Sequence, residues 1–520
     1  SQAAGSKGMI TLSLQQIADV TGGVVSPEAD PGALVTSFVE FDSRKITPGG
    51  LFIALPGTRV DGHDFVAKAV EQGATAALVT REVGEPAIVV PKTEPREGDN
   101  SDLAANDPDG SAAGVVEGMS KLAAHVAREL VAHHGLRITG VTGSAGKTST
   151  KDLIAAVLSR SGETVAPPGS FNNELGHPYT VLRCTEDTKF LVAELSARGI
   201  GHIAHLAEIA PPQVGVVLNV GSAHIGEFGS RENIARAKGE LVEALPAAAD
   251  GGVAVLNADD ELVSAMASRT QARVVTFSAA GAQADYYATD VELDELARAT
   301  FTLHSPANPP QRVRLNVFGV HQVSNALAAA AVGMECGIAA PEVADALSIA
   351  HSVSVARMDV NTRPDGVTVI NDAYNANPES MRAAIAALGF TAAARPGARA
   401  IAVLGEMGEL GQDSVAAHAS LADELSRYRV THLVTVGFND ATEALATCAR
   451  EHGIETTEVE DAEAAAGVVD KLVASAPAGI DGWHTREHRD VVLVKASNAL
   501  GLWAVAERLL PGHTLDGDKA

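Results

Sequence analysis

Apolar residues along the chain gather either into short continuous runs or into stripes spaced three and four apart, the signatures of buried strands and of helices with one buried face. Leu14, Ile17 and Ala18 predict a first helix, runs at 35–42 and 51–55 predict strands, 65–73 predicts a helix, and Ala76–Val79 with 88–90 predicts two further strands. Residues 92–114, rich in Asp, Pro and Gly and without an aromatic side chain, predict a mobile surface loop ahead of a helix over 119–132. Farther on, apolar runs at 190–195, 214–220, Val253–Asn257 and 274–277 alternate with helical stretches at 203–209 and 234–245, which implies a mainly parallel sheet covered by helices. Short strands over 285–317 predict a hairpin edge, and 321–336 an alanine-rich helix. The alternation resumes at 367–371, 400–404, His432–Val436 and 491–494, a second doubly wound sheet, with 391–399 and 477–490 as connecting loops. The chain is therefore expected to be α/β, in three domains at 9–135, 136–353 and 354–520, with no internal repeat of fixed period.

Composition narrows the class. The 520 residues suffice for about three domains of ordinary size, each with its own core. Acidic residues exceed basic ones by 65 − 39 = 26, a field that repels nucleic-acid backbones and anionic lipid, so no nucleic-acid partner is expected. Cys184, Cys336 and Cys448 are odd in number and far apart, which argues against a disulfide framework and fits a reducing cytoplasm. No segment approaches the roughly 20 apolar residues of a membrane span. Ser1 to Gly8 lack the apolar core of a secretory signal and read as an added leader.

The strongest chemical signal is Leu136-Arg-Ile-Thr-Gly-Val-Thr-Gly143-Ser144-Ala145-Gly146-Lys147-Thr148-Ser149, an apolar strand entering a glycine-rich turn, followed by Leu153, Ile154, Val157 and Leu158 at helical spacing. Gly143 and Gly146 allow backbone N–H groups to approach phosphate oxygens. The helix start adds its positive dipole end, Lys147 a cation, and the Thr148 hydroxyl a ligand for magnesium. Val141 stands where the usual phosphate loop has its first glycine, so only the core G-x-x-G-K-T remains. A nucleoside triphosphate is the expected ligand. Glu194 and His224 each follow a predicted strand, at the sheet edge where ligands bind in open α/β folds, and are candidates for magnesium and phosphate work. Asp372-Ala-Tyr-Asn375-Ala-Asn377-Pro378 closes another strand, with Asn377 and Pro378 suited to start a helix.

Taken in order, the glycine loop, Ser170-Phe-Asn172-Asn173, Glu194, Asn219-Val-Gly-Ser-Ala-His224, Ala237-Lys238-Gly-Glu240, His321-Gln-Val-Ser-Asn325, Arg357, Asp372-Ala-Tyr-Asn-Ala-Asn-Pro and Leu404-Gly-Glu-Met-Gly-Glu-Leu-Gly411 resemble the Mur ligases. Asp42-Ser43-Arg44, Pro48-Gly-Gly-Leu-Phe52 and Asp61-Gly-His63 resemble them too, so the likeness spans about residues 9 to 510. The Tyr-Asn-Ala-Asn-Pro element is similar to the member of the family that adds D-alanyl-D-alanine to UDP-N-acetylmuramoyl-tripeptide, in peptidoglycan precursor synthesis.

The resemblance implies an N-terminal domain for the UDP-sugar substrate, with Ser43 and Arg44 as contacts, a central P-loop ATPase on a parallel sheet, and a C-terminal Rossmann-like domain for the dipeptide. It implies ATP and two magnesium ions, the first held by Thr148 and Glu194, the second by His224 and a carbamate formed on Lys238. By the same likeness Lys147, Lys238, His224 and Arg357 would be catalytic, Asn325 would meet adenine, Asp372 ribose and Arg357 the γ-phosphate. Asn173, Asn375, Asn377 and Ser497 would lie along the other substrates. A monomer in the cytoplasm is expected.

Several positions depart from the family pattern: Gln322 for asparagine, Ala496 for glycine, no arginine after Ser497, and Ser196-Ala-Arg198-Gly-Ile-Gly201-His202 for a glycine-rich run. The competing ligase readings are the diaminopimelate-adding relative, whose Asp-Asn-Pro-Arg element is not found, and a folylpolyglutamate synthase, which lacks such an N-terminal domain. A nucleotide-driven switch without ligation would leave His224, Lys238 and the third domain unexplained.

Overall fold

The computed structural model describes residues 8–56, 61–94, 107, 109–167, 175–221, 225–294, 297–350, 359–373, 376–393, 395, 398–475, 489–497 and 501–510. Asn173, His224, Arg357 and Asn375 lie outside the described residues, as do residues 1–7.

The architecture is α/β in three domains, each around its own sheet, and all three main sheets mix parallel and antiparallel pairs. In the N-terminal domain Val39–Glu40, Leu51–Ile53, Ala76–Val79 and Ala87–Val89 run parallel, and Val24–Val25 closes the edge antiparallel. The single strand expected at 35–42 is two: Leu34–Val35 pairs with Leu12–Ser13 in a separate ribbon, while Val39–Glu40 joins the main sheet. Polar Thr36 and Ser37 between them take backbone hydrogen bonds to Gly49, and this turns the chain from one sheet to the other.

Among the described residues the central sheet has nine strands. Arg137–Thr142 lies between Phe190–Glu194 and Val214–Val217, and the parallel set continues through Val253–Asn257 and Arg273–Ser278 to Tyr286–Leu293. Arg298–His304 and Gln311–Phe318 then add antiparallel strands, so the expected hairpin edge is present and the sheet is mixed rather than parallel throughout. Helices Lys147–Leu158, Gln322–Glu335 and Ala340–Ile349 cover one face through Leu153, Val157, Leu327 and Leu347. His202–Ile209 and Arg231–Lys238 cover the other through Ile203, Leu206 and Ile234. The C-terminal sheet runs parallel through Thr368–Asp372, Val491–Lys495, Ala400–Gly405, His432–Val436 and Glu455–Val459, with Asp359–Thr362 antiparallel at its edge. Asp359–Thr362 and Glu455–Val459 were not among the expected strands, and the helix Pro378–Ala393 enters the expected loop at 391–399.

The helix expected at 119–132 begins eight residues earlier and runs Ser111–His134, so the end of the expected loop is helical and buried at Ser111, Ala112 and Gly114. The acids that read as loop composition are its caps: Asp107 accepts from the N–H groups of Ala112 (3.1 Å) and Ala113 (2.9 Å), and Asp109 from Ser111 (3.1 Å). This helix is shared. Its residues Val115, Met119, Leu122, Val126 and Leu130 belong to one apolar cluster that takes in Leu14 and Leu78 of the N-terminal domain and Ile138, Val181, Leu191 and Ile209 of the central one.

Candidate functional site

Parallel pairing carries the site to one sheet edge. Glu194 lies opposite Val141 and Val217 opposite Thr142, so the glycine loop, Glu194 and the segment after Val217 leave the sheet side by side. Gly146 has φ +85°, a left-handed conformation that favours glycine, and a Cβ there would meet Asn325 Oδ1 at 2.8 Å. The loop then enters the helix Lys147–Leu158, whose first-turn N–H groups have no intrahelical acceptor and point toward the loop.

Within this edge the expected residues converge. The buried Thr148 hydroxyl donates to Glu194 Oε1 at 2.8 Å, and Lys147 Nζ reaches back to the Gly143 carbonyl at 2.8 Å. Lys238 ends the helix Arg231–Lys238 and is 2 % exposed; burial, reinforced by the positive charge of Lys147, pushes its ammonium well below the usual lysine range. Asn325 lies on the first turn of Gln322–Glu335 and donates through Nδ2 to Gln322 Oε1 at 3.1 Å, so its carbonyl oxygen faces Gly146.

Asn219, for which the sequence predicts no role, braces the loop. Its Oδ1 accepts from Ser144 N (2.8 Å) and Ala145 N (2.9 Å), and its Nδ2 donates to the Ala145 carbonyl (3.0 Å). The N–H groups of Ser144 and Ala145 are therefore engaged with a side chain, which leaves the phosphate-facing donors to Gly146 and the start of the helix. Glu240 likewise had no role, and its carboxylate caps the helix after the Ser196–His202 run, accepting from Gly201 N (2.8 Å) and Ala204 N (3.0 Å). The signal for both residues is their place in segments that resemble the family, two positions past the ends of Val214–Val217 and Arg231–Lys238.

The third domain meets this edge with Asn377, whose Nδ2 donates to the Ser144 carbonyl at 3.1 Å. Asp372, expected at ribose, is buried and accepts from Lys495 Nζ at 2.6 Å, its register partner on the neighbouring strand. His321 faces this ion pair. Its ring is held to about pKa 4, chiefly by burial and further by the Lys495 charge, against the opposing pull of Asp372. Ser497 donates its N–H to the Glu406 carbonyl at 3.4 Å, on the same sheet edge. Ser43 and Arg44 stand apart in the N-terminal domain, on a short 3-10 turn capped by Asp42. Ser43 is buried, and the exposed Arg44 pairs with Asp42 at 2.8 Å and holds that carboxyl near pKa 2. Among the described residues no group of three or more His, Cys, Asp and Glu side chains is placed to hold a metal ion. The hydroxyl and carboxylate of Thr148 and Glu194 are oxygen donors suited to magnesium, which binds few protein ligands and keeps several waters.

Three family models match the chain: the Mur ligase family catalytic domain over residues 35–125, the Mur ligase middle domain over 141–333, and the glutamate ligase domain of Mur ligases over 356–498. The UDP-N-acetylmuramoyl-tripeptide–D-alanyl-D-alanine ligase of Mycobacterium bovis is 52% identical over 525 residues, covering 97% of this chain and 99% of the relative. A crystal structure of MurF from Acinetobacter baumannii superposes with a TM-score of 0.79 at 28% identity, covering 96% of this chain and 99% of that one. MurF ligase from Thermotoga maritima in complex with ADP superposes with a TM-score of 0.70 at 26% identity, over 91% and 97% of the two chains. From its N-terminal sheet to its C-terminal one, this chain belongs to the Mur ligase family.

Proposed function

We propose that the chain is an ATP-dependent ligase that joins D-alanyl-D-alanine to UDP-N-acetylmuramoyl-tripeptide, forming ADP and phosphate, as a cytoplasmic monomer in peptidoglycan precursor synthesis. The substrates rest on the full-length likeness to relatives of that name. The phosphoryl step rests on one observation, the contact of Thr148 with Glu194 beside the glycine loop. The three segments 9–135, 136–353 and 354–520 then hold the UDP-sugar, ATP and dipeptide ends of the reaction, the middle one as a P-loop ATPase and the last as a Rossmann-like domain.

In this reading the terminal carboxylate of the tripeptide attacks the γ-phosphorus of ATP and ADP leaves, giving an acyl phosphate. The dipeptide amine then attacks the acyl carbon, loses a proton and expels phosphate. Lys147 and the helix start neutralise charge on the triphosphate, with Gly143 to Ser149 shaping its cradle, while Asn325 takes adenine, Asp372 ribose and Arg357 the γ-phosphate. Asn173, Asn375 and Ser497 belong to the acceptor and dipeptide side, and Ser43 and Arg44 to the UDP-sugar. Thr148 and Glu194 would hold one magnesium ion and His224 a second, and such ions screen the repulsion between carboxylate and triphosphate. The depressed pKa of Lys238 favours the neutral amine, the form that adds carbon dioxide with loss of a proton to give an anionic carbamate able to join His224.

Phosphate release with a panel of substrates tests the proposal. It should require ATP, the tripeptide nucleotide and D-alanyl-D-alanine together, and Lys147→Ala should abolish it in a folded protein. Release without the dipeptide, as a nucleotide-driven switch would give, contradicts it.

A further inference from the structure

We propose that Asn377 is a positioning residue that couples the glycine loop to the C-terminal domain; the functional consequence rests on the ligase reading above. One side chain serves two elements. Asn377 Oδ1 accepts from Ser380 N at 2.9 Å and the Ser380 hydroxyl accepts from Asn377 N at 3.1 Å, a reciprocal cap on the helix Pro378–Ala393. That cap fixes the amide so that its Nδ2 points across the domain boundary to the Ser144 carbonyl at 3.1 Å. Asn377 is 4 % exposed and Ser144 2 %, so the bond is shielded from water.

Ser144 in turn has no freedom to move alone. Its N–H goes to Asn219 Oδ1 (2.8 Å), its hydroxyl accepts from Gly221 N (2.8 Å), and Gly221 packs against the carboxylate of Glu379, two residues beyond Asn377. The first turn of the C-terminal domain's helix is thus seated on the peptide that begins the glycine loop. A phosphate cradle turns N–H groups inward and carbonyls outward, and the outward carbonyl of Ser144 is the one Asn377 reads. The loop geometry that suits a triphosphate and the docked position of the third domain therefore support each other.

Asn377→Asp separates the two roles, because aspartate caps a helix as well as asparagine but has no N–H and sets a carboxylate oxygen against the Ser144 carbonyl. Asn377→Ser keeps a cap and is too short to cross the boundary. In the free full-length protein, the helix Pro378–Ala393 should keep its amide protection in both variants, since the cap is kept, while hydrogen exchange of the loop amides at Ser144 and Ala145 quickens. In the assay, kcat should fall roughly ten- to hundredfold for Asn377→Asp and less for Asn377→Ser, as expected for a buried carbonyl left without its donor. The Kd of a fluorescent ATP analogue should stay within about threefold, because its contacts lie on the central domain. Parental exchange and parental kcat in a stable Asn377→Asp protein would overturn the coupling. Lost protection along the helix Pro378–Ala393 with parental exchange at Ser144 and Ala145 would overturn it also, as the signature of a cap alone. If the parent binds no ATP analogue, the ligase reading fails, whereas the exchange measurement still decides whether Asn377 holds the loop.

Discussion

The two junctions of this molecule are built from opposite chemistry. Between the N-terminal and central domains the helix Ser111–His134 is buried on both sides, and its Met119, Leu122 and Val126 belong to one apolar cluster with Leu78 on one side and Ile138 and Leu191 on the other. Arg183 of the central domain adds a clasp: it donates to Glu40 at 2.7 Å and lies 4.2 Å over the ring of Phe38, while Tyr179 donates to the same carboxylate at 3.1 Å. Between the central and C-terminal domains one small apolar residue, Ala297, packs into the C-terminal cluster with Ile370 and Met381, and the remaining contacts are directional and polar: Asn377 to Ser144, Gly226 N to the Glu409 carbonyl at 3.4 Å, and Arg198 to Glu409 at 3.1 Å. Separating the first junction would expose apolar area at about 25 cal/mol per Å². Hydrogen bonds at the second exchange with water at a net cost of only about 1 kcal/mol each. The contrast assigns domain motion in a catalytic cycle to the second junction and a fixed frame to the first.

Cutting into the apolar junction has the largest expected effect on stability. Leu122→Ala should destabilise by about 2–5 kcal/mol, the range for a buried leucine that leaves a cavity, and the N-terminal and central domains should unfold together in calorimetry. Independent melting of the N-terminal domain would mean that the junction is not a shared core.

Acid should weaken the same region. His177 is buried beside the shared helix, its Nε2 donates to the Leu206 carbonyl at 2.8 Å, and burial lowers its pKa from 6.5 to about 4. Above pH 6.5 the imidazole is neutral in folded and unfolded chains alike. Between pH 6.5 and about 4 the unfolded chain gains a proton that the folded one does not, so stability falls across that window by up to about 3 kcal/mol and then levels for this group. Denaturant melts from pH 7 to 4 should show a shallower decline in His177→Gln, and an unchanged slope would remove His177 from the account.

The smallest effect is expected at the polar junction. Arg198 and Glu409 are partly exposed, so Arg198→Ala should change stability by less than about 1 kcal/mol. Its effect should appear as a salt-sensitive rise in the dipeptide KM, and a loss of several kcal/mol would show that this junction is welded too.

The same contrast governs how much the sequence disclosed. The glycine loop, Glu194 and the cap at Asn377 were legible because each is a local pattern: a strand, a turn residue and a helix start within a few positions. The Asn219 brace and the Asp372–Lys495 pair were not, since partners 75 and 123 residues apart meet only once the strands are in register. The start of the shared helix was missed because Asp107 and Asp109 have the composition of a loop and the position of caps. Glu455–Val459 was missed because an edge strand with exposed Glu455 and Thr457 and a half-buried Glu458 lacks the apolar run of its buried neighbours. Patterns within a few positions could be read, and contacts between segments far apart in the chain could not.

Paired electron-spin distances test the division most directly. With Cys336 and Cys448 replaced by serine, labels at the exposed Glu28, Asp250 and Glu463 report one distance within the frame and one across the polar junction. On adding a non-hydrolysable ATP analogue and the tripeptide nucleotide, the Glu28–Asp250 distribution should stay unchanged, and the Asp250–Glu463 distribution should sharpen to a single short distance. A shift between Glu28 and Asp250, or none between Asp250 and Glu463, would contradict the account.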